Sequence, residues 1–137
     1  MSKMRSMTLG VGTPLTLQRA VELLKRADLS IFDKDGRVHI ISRETFDEEI
    51  YDYSYEQFIT LPKNVRFRVY GNEIKEAEIC IVTQNGLDYL DILFLAYLKT
   101  VRISDTEQFD FNFYYDRIVN KMNEISYVVE HVTFDEI

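Results

Sequence analysis

Tryptophan is absent from the chain, and cysteine, histidine and proline nearly so: one Cys, two His and two Pro among 137 residues. A single cysteine excludes an internal disulfide framework and a cysteine-based zinc knuckle. The histidines, His39 and His131, share no HExxH context and no i,i+4 spacing, so neither announces a metal site. The longest apolar run, residues 92–98, is seven residues long, far short of the ~20 needed to span a bilayer. Residues 1–12 carry two basic side chains but no apolar stretch of signal-peptide length. The expectation is a cytoplasmic protein with Cys80 reduced. No internal repeat, low-complexity tract or interdomain linker interrupts the chain.

What is present points to one folded domain. Apolar residues make up 46% and aromatics 13%, enough to build a core in a chain of this length. The net charge of −7 is uneven: residues 1–28 carry +3, residues 29–63 carry −4, and residues 104–137 carry −6. Such a surface repels phosphate backbones, so direct nucleic-acid binding is not expected.

Periodicity suggests the elements. Residues 1–12, with Gly10 and Gly12, read as a mobile tail before a domain over 13–137. Leu17, Ala20, Val21 and Leu24 recur at helical spacing after Thr13-Pro14, with Thr16 as the rival cap. Residues 29–32 and 37–42 flank Asp33-Lys34-Asp35-Gly36, a hairpin pattern in which Gly36 supplies the positive φ. From 43 to 58, Glu44, Glu48, Asp52 and Glu56 recur every four residues while Phe46, Ile50 and Tyr53 recur at four and three, so the segment reads as a helix with an acidic and an apolar stripe. Within it, Ser54-Tyr55-Glu56-Gln57 is a capping-box pattern. Residues 65–70 alternate strictly and 76–83 give a second strand, putting Arg66 and Arg68 opposite Glu76 and Glu78. From Leu87 to Arg102 the chain reads as a helix apolar nearly all round, either a central core helix or a homodimer seam. Ser104 to Glu107 repeats the capping pattern. Residues 111–123 read as a helix with Tyr114, Tyr115, Ile118, Val119 and Met122 inward, and 125–134 as an edge or added strand. The fold expected is a single α+β domain: a mostly antiparallel sheet of four or five strands packed against three or four helices.

The chemistry candidates are few. The Asp33–Gly36 tetrad echoes a calcium loop but lacks the later ligands, and turn chemistry explains it. Gly10-Val11-Gly12 lacks the Gly-Lys-Ser/Thr ending of a phosphate-binding loop. Cys80 lies in an apolar strand with no adjacent Cys-His motif. Arg66, Arg68 and Tyr70 on one strand face can hold an anion, as Arg forks match phosphate or carboxylate, or can be satisfied by Glu76 and Glu78. The unusual feature is 44–58, where six acidic residues mingle with Phe46, Tyr51, Tyr53, Tyr55 and Phe58. It is either a solvated helix face or a recognition surface, since tyrosines are enriched in interface hot spots and carboxylates steer a basic partner.

No nucleophile with a nearby base and no metal-ligand cluster can be read from the spacing, and no cofactor is implied. The function expected is therefore a small acidic, non-enzymatic binding protein of inhibitor or immunity type. It would occupy a basic surface of a protein partner with Glu44, Glu48, Tyr51, Asp52, Tyr55 and Glu56. Two other classes remain: a small-ligand or nucleotide-binding protein using Arg66, Arg68 and Tyr70, and a hydrolase pairing carboxylates with His39 or His131.

Overall fold

The computed structural model describes residues 5–12, 14–42, 44–94 and 109–136. Seven strands carry the fold: β1 (Arg5–Gly10), β2 (Val38–Ile41), β3 (Glu48–Tyr51), β4 (Arg66–Tyr70), β5 (Glu76–Gln84), β6 (Leu87–Phe94) and β7 (His131–Glu136). They form one sheet in the order β3-β2-β4-β5-β6-β1-β7, antiparallel at every pairing. Three short helices accompany it: α1 (Leu17–Arg26), α2 (Tyr55–Phe58) and α3 (Phe111–Tyr115), the last continuing through a π-helical turn, Asp116–Asn120. The α+β expectation of four or five strands against three or four helices is thus corrected to a mostly-sheet protein.

Alternation along the central strands sorts the residues. Phe67 and Val69, Ala77, Ile79 and Ile81, Leu90, Ile92 and Phe94, and Met7 and Leu9 share one face through the pairing register, and all are buried. Leu17, Ala20, Leu23 and Leu24 of α1 join the same core, as do Tyr114, Ile118, Val119 and Met122. Contacts such as Phe94 on Tyr114 (4.4 Å between centroids) and Phe58 on Phe67 (4.9 Å) put the helices on this face. Arg26 donates to the Met122 carbonyl at 3.0 Å, tying α1 to the segment after α3.

Several expectations hold. The rival cap Thr16, in place of the Thr13-Pro14 entrance, opens α1 at Leu17, its hydroxyl accepting the Arg19 N–H at 3.1 Å. Strands β4 and β5 pair as read. Gly36 takes φ +77° in its turn. The Ser54–Gln57 capping box forms with both its bonds. Residues 111–122 are helical, although Tyr115 is exposed rather than inward. β7 is an edge strand beside β1.

Three readings are overturned. The segment read as a tail contains β1, held between β6 and β7 by two ladders. Its alternation of Met7 and Leu9 with Ser6 and Thr8 is a strand signal that the glycines obscured. Gly10 serves that packing: a Cβ there would meet the His131 Cβ at 3.1 Å. The helix over 43–58 is a turn, β3 and then α2. A four-residue repeat is also a multiple of two, so the same carboxylate spacing suits a strand, and pairing with β2 decides the matter. The described part of the helix over 87–102 is strand β6, so no helix face carries a homodimer seam over Leu87–Phe94. Asn85-Gly86, with φ of +53° and +77°, forms the two-residue turn joining β5 to β6. Residues 95–102, the capping pattern at Ser104, Thr13 of the helix entrance and Arg43 lie outside the described residues.

The register separates Leu87 and Leu90, which a helix would place on one stripe. Leu90→Ala, at a fully buried site, is expected to cost about 3 kcal/mol. Leu87→Ala, at an exposed one, should stay within about 0.5 kcal/mol. Urea unfolding of both variants checks this, and equal losses would refute the register of β6.

Candidate functional site

The opposite face of the sheet carries the remaining side chains of each strand, most of them polar. The register brings His39, Arg68, Tyr70, Glu48, Glu76 and Glu78 to its β3 end. Arg68 pairs closely with Glu48 and lies 3.7 Å from Glu76, while Arg66 lies 3.5 Å from Glu78. The strand pairing anticipated for these arginines is therefore present. Tyr70 packs edge-on against His39, with ring centroids 5.5 Å apart. Its hydroxyl is pushed above the usual phenol range, first by burial and then by the charges of Glu76 and Glu48.

His39 meets a carboxylate, the pairing that the hydrolase reading names. Its Nε2 lies 2.6 Å from Asp33 Oδ2, and its Nδ1 lies 3.4 Å from Glu48 Oε1. The side chain is 14% exposed and Nδ1 is inaccessible. Both ring nitrogens thus face the protein's own acids. The Asp33 carboxylate also holds its turn. Asp33 accepts the Arg37 and Asp35 N–H groups at 3.0 and 2.8 Å. The Arg37 backbone bond foremost, then His39, holds its carboxyl at about 2.

The acidic segment divides by function. Glu48 is consumed internally by Arg68 and His39. Glu44, Asp47, Glu49, Asp52 and Glu56 are exposed. Of these, Asp52 lies 3.5 Å from Arg37 and Glu49 accepts the Tyr51 hydroxyl. Tyr51 stacks face to face on Tyr53 (4.7 Å, 1°), and Tyr55 starts α2 beside a groove of about 540 Å³ lined by Val21, Leu29, Ile31 and Phe32. Tyr51 and Tyr55 therefore do not stand side by side, as a helix would have placed them. The apolar stripe is also divided: Phe46 is 72% and Ile50 51% exposed, while Tyr53 packs against the core.

Phe46 adopts φ +60°, a left-handed conformation rare for a bulky residue. The connection between β2 and β3 holds it there. Ser42 accepts the Phe46 N–H at 2.8 Å and donates its own N–H to the Asp47 carbonyl at 2.8 Å. Pattern reading put Phe46 on a helical apolar stripe, because no spacing rule announces an exposed aromatic in a turn.

At the far end of the same face, Thr8, Tyr89, Asp91, His131, Thr133 and Asp135 line a shallow groove of about 400 Å³. Burial raises the Asp91 carboxyl, and the Thr8 hydroxyl, donating at 3.0 Å, works against that rise. Asp91 went unnoticed because it sat inside the misread helix. Cys80 is buried on this face. Among the described residues no cluster of three or more His, Cys, Asp or Glu side chains is placed to hold a metal, and no described helix is long and apolar enough to cross a membrane.

On the helix side, Asp88 anchors three segments. It accepts the Leu15 N–H at 2.7 Å and the Thr83 hydroxyl at 2.6 Å, and it pairs with Lys63. Burial pushes its carboxyl up, and Lys63, Thr83 and Leu15 more than reverse this, leaving it at about 2. Comparison with protein-family models, curated protein sequences and solved structures finds no match for the chain.

Asp33 and Asp88 both titrate below the ordinary aspartate value of about 3.9. Their stabilisation is full above that value and is lost as pH falls through about 2. Asp88→Asn is expected to cost about 2–3 kcal/mol at neutral pH, because the carboxylate is 8% exposed and leaves Lys63 and the Leu15 N–H poorly matched. It should also flatten the loss of stability between about pH 4 and 2. Urea midpoints measured across that range check both effects. An unchanged slope would mean the carboxylate is not held as described.

Proposed function

We propose that this chain is a small acidic, non-enzymatic binding protein that occupies a basic surface of a protein partner with the β2–β3 edge of its sheet. One observation carries the reading: two large apolar side chains, Phe46 and Ile50, stand exposed among the exposed carboxylates of Glu44, Asp47, Glu49, Asp52 and Glu56. Apolar anchors within a charged rim are the anatomy of a protein interface. A strained backbone at an exposed aromatic is a feature that folding alone does not require. The carboxylates raise the encounter rate with a basic partner and set its orientation.

The docking residues differ from those first singled out. Glu44, Asp52 and Glu56 remain, Phe46, Asp47, Glu49 and Ile50 join them, and Glu48 acts from within by holding Arg68. The small-ligand reading would have to use arginines that already face glutamates, and the hydrolase reading a histidine enclosed by acids, so neither gains support from the geometry.

Charge reversal of Glu44, Glu49, Asp52 and Glu56 to lysine tests the reading without touching the Glu48 network. Affinity capture from a native lysate of the source cells, at low and high salt, should lose the salt-sensitive partner in the reversed protein. Capture that survives the reversal would remove the acidic edge from the function.

A further inference from the structure

We infer that β3 is a strand-addition site: an extended basic segment of the partner hydrogen-bonds to the outer backbone of Glu48 and Ile50 and lengthens the sheet by one strand. This rests on the docking role proposed above and specifies how that role is carried out. Strand β3 ends the sheet order and pairs only with β2 among the described residues. The Ser42 N–H to Asp47 carbonyl bond marks Ser42 and Asp47 as a hydrogen-bonded pair. Such pairs recur at every second residue of an antiparallel ladder. Ile40 with Glu49 and Val38 with Tyr51 are then the bonded pairs. The N–H and C=O groups of Glu48 and Ile50 consequently point away from β2, into the space beyond the edge.

An exposed edge is a template for another strand, and proteins usually blunt it with charge, brevity or cover. β3 is short and charged, yet Ile50 on it and Phe46 just before it are exposed. On the other edge, β7 itself carries no exposed large apolar side chain, and its Phe134 packs on Phe111 at 4.5 Å; the exposed Ile125 and Tyr127 lie in the connection before it, four or more residues from the strand.

The charge selects the occupant. The strand is Glu48-Glu49-Ile50-Tyr51, flanked by Asp47 and Asp52. A second copy pairing β3 with β3 would set carboxylates beside carboxylates, which destabilises a sheet. A segment alternating lysine or arginine with apolar residues meets complementary neighbours on both faces. Its basic side chains lie beside Glu49 on the helix side, and its apolar ones beside Ile50 on the other.

The probe is an end-capped peptide of alternating lysine and valine, titrated into the full isotope-labelled chain while amide hydrogen exchange is followed. The amides of Glu48 and Ile50 should exchange about ten-fold more slowly at saturation, while those of Glu49 and Tyr51, already bonded to β2, change little. The matching glutamate–valine peptide should have no effect. Ile50→Pro removes only an outward N–H, a substitution an edge strand tolerates, and should abolish binding of the lysine peptide.

The inference is overturned by no binding at about 1 mM peptide, the weak end of specific association; by binding that leaves the Glu48 and Ile50 amides unchanged; or by protection of β7 instead. Protection of the same amides without peptide, with a concentration-dependent dimer on sizing, would assign the edge to a second copy and also overturn it. If charge reversal abolishes partner capture while Ile50→Pro spares it, docking on the acidic edge stands and strand addition alone fails. If neither change affects capture, both fail.

Discussion

The pleat of the sheet governs nearly everything else in this molecule. Side chains of successive strand residues point to opposite faces, so a strand alternating apolar and polar residues can have only one dry side. In β4, β5, β6 and β1 the paired residues Phe67, Ile79, Ile92 and Met7 fall in one row across four strands. α1 and the helical segment around Ile118 cover that row and complete the core. The burden then passes to the opposite face, where Arg66, Arg68 and His39 must find acids among their strand neighbours. A one-residue slip of β4 would bring the arginines to the helices and Phe67 to the charged face. The ionic ladder and the core are two results of one register.

The same constraint explains why the β2–β3 hairpin differs in character from the sheet's centre. Val38 is fully buried, but its partner Tyr51 is only half-buried and stacks on Tyr53 instead of a helix. Strand β3 therefore contributes little to the core and is free to be acidic. Its attachment to the body runs through Glu48, whose carboxylate reaches His39 and Arg68 in the second and third strands of the sheet order. One glutamate holds the edge in place while the carboxylates around it face outward.

Sequence patterns were readable wherever local chemistry and tertiary pairing agreed. Thr16 capped its helix, Gly36 took its positive φ, Ser54 and Gln57 closed their box, and the strict alternation of β4 found β5 opposite it. The misreadings share a cause. In β3 the four-residue carboxylate repeat fits both a helix and a strand, and only the neighbour β2 distinguishes them. In β6, Leu93 lies on the polar face between buried Ile92 and Phe94, so the alternation that would mark a strand is blurred. The Asn85-Gly86 turn was the decisive clue there, since that dipeptide between apolar runs is a strong hairpin signal. As for the site, the acidity of 44–56 was legible. The exposure of Phe46 and Ile50 was not, because it depends on which side of an edge strand each residue occupies.

Acidic charge at an open edge has two consequences of opposite sign. It keeps identical edges apart, which protects a chain of net charge −7 from pairing with itself. On the proposed reading it also draws in cationic segments and aligns them over the exposed backbone. The two effects respond differently to salt. Repulsion and steering act across solvent and weaken over a screening length of about 8 Å at physiological ionic strength. Backbone hydrogen bonds to Glu48 and Ile50 form at contact and are screened far less. A strand-added complex should therefore assemble more slowly at high salt while its dissociation rate changes less, whereas a complex held by charge alone would lose affinity through both rates. On the proposed reading the acidic residues would act chiefly in choosing the partner, and the backbone of the edge in retaining it.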